Sequence, residues 1–505
     1  MRTLRASLLT VLVLACGMQA DAARLVGGPS ARLAANAPQL MVGRLELEWG
    51  DPRPQAKAGD TLAGHFRATL VDDAGVRRAL DTDQALRAAE DLHALYGRRI
   101  AVSTVPVAAK SRGARTRRID AIVPIDDLVS APSSDRIRAR AVAQRDEAIG
   151  GITSWVTLMC KFNDVATEQK TLAFFQSQYG GAIGQLDHYW QEVSYGQINL
   201  AGSNAYGWAT LPQPRSYYVA LDTTTNKDKA DLTKLFQDCV AAHDADVNFA
   251  LNGGVQGVNM MFNGDLDGFA WGGSRCVTLD GVNKCWSTTW NPPWSFNNLA
   301  PLSHEMGHAY GLPHANNSDT DTDPYDNPWD VMSDPWSNGV PNTTYGTLPK
   351  HINIYSRNRL GWVANDRKLT ITAGSQARSV AVDRASLAGS SNRQMLILNY
   401  PDQTTRYYTI EVRKRGGNYE NRLAGDAVII HEVQTSRKEP AWSMDADRPP
   451  ATRANNEGSM FKVGELWISP DYAFRVKVES STAEGFVLSV RPGPSKSRPG
   501  QAQPS

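Results

Sequence analysis

Between His304 and His314 the chain reads HEMGHAYGLPH, which places three of its nine histidines within eleven residues. Neutral imidazole is a favoured zinc ligand, and two histidines four residues apart share one side of a helix. On a wheel of ~100° per residue, His304 and His308 lie about 40° apart, almost opposite the apolar set Leu299, Leu302, Met306 and Ala309. The helix is expected to start near Asn298, a good cap, and to tolerate Pro301 in its first turn. Gly311 permits a left-handed exit and Pro313 forbids continuation, so His314 can turn back as a third ligand. Three imidazoles leave a fourth tetrahedral position for water, the catalytic arrangement of zinc and not the closed structural one. Glu305 projects ~100° round the helix from His304, where it can take a proton from a water whose pKa zinc lowers to about 7 and then deliver it to a departing amine. Chance assembly of this five-position pattern is on the order of one in 10⁵.

Other residues offer weaker chemistry. Asp319, Asp321, Asp323 and Asp330 occupy the first, third, fifth and twelfth positions of a calcium-loop spacing, but Pro324 stands where such a loop requires glycine. A different Ca2+ site, or a solvated loop whose aspartates cap turns, is expected there. His188, His243 and His351 read as helix-surface or core histidines and not as ligands.

The elements that must position the helix can be traced along the chain. ITSWVTLMCKF from Ile152 reads as a buried strand, and TEQKTLAFFQSQYGGAIGQLDHYWQEVSYG as mostly helical. QINLAGSNAYGW returns to strand, residues 229–250 to helix and GVNMMFNG to strand. Residues 349–362 read as a closing helix. Strands alternating with helices predict a mixed α/β layer over residues 152–364. Residues 24–126 predict a small β-rich domain, residues 127–151 a polar linker, residues 365–491 a β-sandwich-like domain, and residues 492–505 a disordered tail.

The N-terminus, with Arg2 and Arg5 before the apolar run Leu8–Ala15 and then Ala20-Asp21-Ala22, reads as a signal peptide over residues 1–23. A lipoprotein box ending at Cys16 is the competing reading, with bulky Leu14 against it; a periplasmic location is a further alternative to full secretion. The remaining cysteines are even in number. In RCVTLDGVNKCW, a two-residue turn at Asp280-Gly281 sets Cys276 opposite Cys285, so these two are expected to pair, leaving Cys160 for Cys239. Lysine plus arginine (53) balances aspartate plus glutamate (52), without a basic stripe, which argues against a nucleic-acid partner. No later stretch is long and apolar enough for a transmembrane segment, and a monomer is expected.

HEMGHAYGLPH matches the zinc signature H-E-x-x-H-x-x-G-x-x-H of metzincin metallopeptidases at every specified position, and WDVMSDP resembles their Met-turn, with Met332 beneath the metal. SWVTLMCKF, DHYWQEVSYGQINLAGSNAYGW, FAWGGS, YDNPWDVMSD and YYTIEVR resemble secreted bacterial immune-inhibitor-A-like and gametolysin-like peptidases, over residues 152 to about 435. The resemblance implies an α+β, zincin-like catalytic domain with a mixed, mostly parallel sheet. It further implies a secreted zinc endopeptidase acting on protein or peptide substrates, with residues 270–279 as the sheet edge along which an extended substrate lies. The alternatives are a catalytically weak or inactive relative acting as an extracellular binding module, and a metal-dependent hydrolase of non-peptide bonds. One position departs from the astacin-like and serralysin-like pattern: Asp334 stands where a tyrosine follows the methionine, and Tyr310 and Tyr325 are the nearby candidates to replace it. Residues 24–150 are expected to be either a propeptide or a permanent accessory domain. With no cysteine there to ligate zinc, Asp51 in WGDPRP is the candidate latch.

Overall fold

The computed structural model describes residues 39–53, 64–107, 116–125, 148–319, 323–447 and 457–493. The signal-peptide reading, most of the linker, Asp321 and the tail beyond residue 493 fall outside them. The fold is mixed α+β, with strand (41%) outweighing helix (17%), so sheets organise it.

The N-terminal elements are β1 (Gln39–Pro52), β2 (His65–Val71), β3 (Arg77–Leu80), α1 (Thr82–Ala88), β4 (Arg99–Val107) and β5 (Thr116–Pro124). They are followed by β6 (Trp155–Lys161), α2 (Leu172–Gln178), α3 (Leu186–Val193), β7 (Asn204–Thr210), α4 (Leu232–Ala242) and β8 (Gly257–Phe262). Next come the hairpin β9 (Phe269–Leu279) and β10 (Val282–Asn291), the histidine-bearing helix α5 (Leu299–Ala309), and α6 (Ile354–Arg359).

β6 shows how the sequence builds the sheet. Trp155 and Met159 enter the core that holds Trp190, Leu302 and Met306. Val156, Leu158 and Cys160 enter the one that holds Leu235, Phe236 and Cys239. Its alternate residues therefore serve opposite faces, both covered, which is why the strand reads as continuously apolar. β10, β8, β6 and β7 run parallel, and β9 lies antiparallel to β10. Asp280 (φ 46°) and Gly281 (φ 78°) make the tight turn between β9 and β10, both in the left-handed region that such hairpins require. Cys276 faces Cys285 across the hairpin and the two are bonded; Cys160 on β6 is bonded to Cys239 on α4.

The N-terminal segment is not a separate sheet. β1 pairs with β4 over Gln39–Arg44 and then with β9 over Glu48–Pro52, while β2 runs along its other edge. The order β3-β2-β1-β9-β10-β8-β6-β7 is thus one continuous sheet, with β4 and β5 attached at β1. Leu45, Leu47 and Trp49 of β1 enter a core with Leu70, Leu92, Ile100 and Val102.

After α6 come β11 (Lys368–Thr372), β12 (Arg378–Asp383), β13 (Met395–Tyr400), β14 (Gln403–Arg413), β15 (Ala427–Gln434), β16 (Ala441–Ser443), β17 (Leu466–Ile468), β18 (Phe474–Ser481) and β19 (Gly485–Pro492). The sheet β16-β15-β14-β13-β11, extended by Ala315–Asn317, shares a core with the sheet β12-β19-β18-β17. Ile410, Ile430 and Leu398 of the first meet Val476, Leu488 and Val490 of the second.

Several helices are shorter than periodicity suggests. Glycines 180, 181 and 184 fall between α2 and α3 and divide the expected long helix. Asp231 caps α4 by accepting from the Lys234 N–H, so the preceding lysines stay in a strand. The helix expected over residues 349–362 spans only α6, which Asn353 caps at its start and Gly361 (φ 79°) ends.

Candidate metal centre

α5 runs over the expected residues, but every one of them is buried, including those of the face expected to be open. On one side Leu299, Leu302, Met306 and Ala309 pack into the core with Trp190 and Met332; each leucine or methionine so buried contributes roughly 1.5–3 kcal/mol. Gly307 makes room for the Met332 side chain, since a Cβ there would stand 2.3 Å from its sulfur. Met332 therefore lies against the helix between the two histidine turns. Gly272 of β9 makes the matching approach above, where a Cβ would stand 2.4 Å from the Glu305 carbonyl oxygen.

The helix ends as its sequence dictates. The Gly311 N–H donates to the His308 carbonyl (2.8 Å) and the Leu312 N–H to the Gly307 carbonyl (3.0 Å), with Gly311 at φ 86°. This left-handed closure reverses the chain and returns His314 to the helix. His304 Nδ1 is 2.6 Å from the Val331 carbonyl and His308 Nδ1 is 2.7 Å from the Leu312 carbonyl. Those carbonyls accept, so each ring carries its proton on Nδ1 and turns the Nε2 lone pair inward. His308 Nε2 lies 3.0 Å from that of His304 and 3.1 Å from that of His314.

The fourth group is Asp51, from β1. Its Oδ1 is 2.6 Å from His314 Nε2 and 3.3 Å from His304 Nε2, and its Oδ2 is 3.2 Å from His308 Nε2. Trp49, two residues earlier on the same side of β1, stacks on the His308 ring at 4.9 Å and 7°. Burial pushes His314 down to about 3 and His308 below its usual value, favouring their neutral form, whereas for His304 burial works downward but the Asp51 charge beside it prevails and raises it. For Asp51 burial works upward, but the three histidines hold its carboxyl well below the usual range.

These residues fit a zinc ion. Ligands at ~2.0–2.1 Å from a tetrahedral centre stand about 3.3 Å apart, close to the separations here. Convergent lone pairs with a buried carboxylate have little other reason to face one another at such distances. Among the described residues this is the only group of three or more His, Cys, Asp or Glu whose ligand atoms gather within 4.8 Å.

Glu305 stands beside Asp51, its Oε2 buried without a hydrogen-bond partner. Burial, and then the Asp51 charge, push it well above the ordinary carboxyl range. The two candidate tyrosines separate. The Tyr310 hydroxyl meets Thr153 (3.2 Å) and the Trp155 indole (3.0 Å), inside the core. The Tyr325 hydroxyl donates to Asp51 Oδ1 at 2.6 Å, with its ring 5.3 Å from that of His314. Tyr325 is thus the tyrosine at the centre, while Asp334 caps a turn by accepting from the Trp336 and Ser337 N–H groups.

The described aspartates of the calcium spacing sit in the turns before Met332. Asp330 accepts from the Met332 N–H and holds the Met332 turn, and Asp323 accepts from the Tyr325 N–H. Asp319 donates its own N–H to Asn317, and Asp321 lies outside the described residues. His188, His243 and His351 bond to Tyr419, the Met159 carbonyl and Glu192 respectively, away from the centre. The pairing between β1 and β9 is what the sequence least discloses. Its one local signal is LELEW, where two glutamates alternate within an apolar strand and so require buried partners.

Among the described residues no helix is long and apolar enough to cross a membrane, and the two disulfides are compatible with an extracellular protein. No protein-family model and no curated protein matches the chain.

Proposed function

We propose that the protein is a secreted, zincin-like zinc endopeptidase of the metzincin type, held in a latent form by its own N-terminal segment. The observation that carries this reading is the convergence of His304, His308, His314 and Asp51 beside the orphaned carboxyl oxygen of Glu305. When bound, zinc would polarise a scissile carbonyl and lower the pKa of an attacking water.

The chain's residues supply the rest. His304, His308 and His314 would hold the ion, the first two oriented by the Val331 and Leu312 carbonyls. With β1 gone, and with it the cover and the Asp51 charge that raise its carboxyl, Glu305 is the base that accepts the water's proton and returns it to the leaving amine. Tyr325, whose hydroxyl already donates to an anionic oxygen, is the donor to the developing oxyanion. β9 offers the antiparallel edge for an extended peptide. β1 occupies that edge over Glu48–Pro52, and Asp51 would serve as a fourth ligand to the ion. Substrate and water are both excluded until β1 departs.

The test is digestion of casein by the secreted chain with stoichiometric zinc, by Glu305→Ala, by chelated protein and by Asp51→Ala. Glu305→Ala and chelated protein should be inactive. Asp51→Ala should lose zinc to a chelator at least ~10-fold more readily than wild type, and should digest casein only once the N-terminal segment has been cut away, because β1 still covers the β9 edge. Zinc-loaded, processed wild type that cuts no protein would remove the peptidase reading. Asp51→Ala that stays as zinc-retentive as wild type would remove the latch.

A further inference from the structure

β1 alternates between two faces. Asp51, Trp49 and Leu47 point to the histidines and to the N-terminal core, whereas Glu46 and Glu48 point to the other side of the sheet, where Arg275 of β9 lies. Arg275 is 3% exposed, with its guanidinium 5.0 Å from the Trp290 ring. Its Nη2 is 2.7 Å from Glu48 Oε1 and its Nη1 is 3.4 Å from Glu46 Oε2, while its Nε has no partner. The N–H of the next residue, Cys276, donates to Glu46 Oε1 at 2.6 Å. Both carboxylates that pair with Arg275 belong to β1, and Arg77, which shares Glu46, belongs to β3.

A buried guanidinium is tolerated when it is paired, and costly when one partner is removed. Departure of β1 strips Arg275 of both acids at once and leaves a cation on the strand that substrates pair with. Backbone register fixes where a replacement must come from: Glu48 lies opposite Gly273, and Pro52 opposite Phe269. Gly273 keeps this approach close, since a Cβ there would stand 2.2 Å from the Leu47 carbonyl oxygen.

We infer that Arg275 is a specificity-determining residue, and that β1 is a template of the preferred substrate: an extended peptide with acidic side chains at the third and fifth positions before the residue that reaches the metal, matching Glu48 and Glu46. This rests on the peptidase reading above, and concerns which peptides are chosen, not whether they are cut.

The experiment uses the full chain with a recognition site for an unrelated protease placed within residues 126–147, folded intact, loaded with zinc and then cut. Labelled peptides that copy the β1 sequence, carrying Glu, Gln or Lys at both positions, are offered in excess. Binding is measured on the Glu305→Ala form and hydrolysis on the active form. The Glu peptide should bind about 10-fold more tightly than the Gln peptide and the Lys peptide most weakly, chiefly through KM. Arg275→Gln, made with Glu46→Gln and Glu48→Gln so that the intact chain buries no orphaned acids, should level the series. Arg275→Glu, made with Glu46→Lys and Glu48→Lys, should reverse it, a result that a merely structural arginine would not give. Equal hydrolysis of all three peptides overturns the role of Arg275 and leaves the peptidase reading standing. Selective binding of the Glu peptide without hydrolysis does the opposite, and absence of both overturns both.

Discussion

Tyr325 shows what a single side chain can settle. It is seven residues upstream of Met332, not downstream, and Asp323 fixes its turn by accepting its N–H. Replacing it with phenylalanine in the processed protein should lower kcat about 10²-fold with little change in KM or zinc content, the cost of one oxyanion donor. An unchanged kcat would remove Tyr325 from the chemistry. At this scale, the three histidines, Glu305 and the glycine turn were legible because ligands close in sequence must obey helix geometry. Asp51 was the one aspartate named and Tyr325 one of two tyrosines, and neither was linked to the other, since the contact that unites them spans 274 residues. Nothing local to either end encodes it.

Elements were legible where one period dominates and hidden where punctuation intervenes. β6 and the β9–β10 hairpin are as expected, because alternation and an Asp-Gly turn admit one register. The closing helix shrank to α6 because Asn353 and Gly361 act on its ends. The strand of the hairpin and the metal helix meet at Gly272, whose missing side chain sets their distance. Gly272→Ala should therefore destabilise the protein by ~1–3 kcal/mol through overpacking and weaken zinc retention by tilting His308, whose Cβ would stand 2.7 Å from the new methyl. Denaturation midpoints and chelator competition would show it; a neutral variant would mean that the helix can shift freely.

At the scale of the molecule, the N-terminal segment is secured at more than the contact of Asp51 with the histidines. The Tyr96 hydroxyl lies 2.8 Å from both the Gly273 and Ala309 carbonyl oxygens and donates to one of them, Arg359 pairs with Asp91 at 3.0 Å, and Thr435 donates to the Glu90 carbonyl at 2.6 Å. His93 sits in the same seam, its Nε2 3.2 Å from the Arg437 carbonyl oxygen, and burial pushes it down to about 4. An unfolded chain takes up that proton near pH 6.5, before the folded one can. Stability is therefore full above about pH 6.5 and lost as pH falls through 4, by about 3 kcal/mol from this residue. His93→Phe should lose correspondingly less between pH 7.5 and pH 4 in denaturant titrations; an equal loss would assign the acid sensitivity elsewhere. The sequence suggested an N-terminal unit and a catalytic unit with a linker between them. The strand that joins them reads as a strand, but its pairing was hidden because its partner, Gly273, lies more than two hundred residues from Glu48.

That long separation has a consequence for the cell that makes the protein. Chains emerge and fold from the N-terminus onward, so β1 and its neighbours can already exist when HEMGHAYGLPH is synthesised. The histidines then close around a carboxylate that is waiting for them. No moment in biosynthesis need contain the three histidines assembled and uncovered.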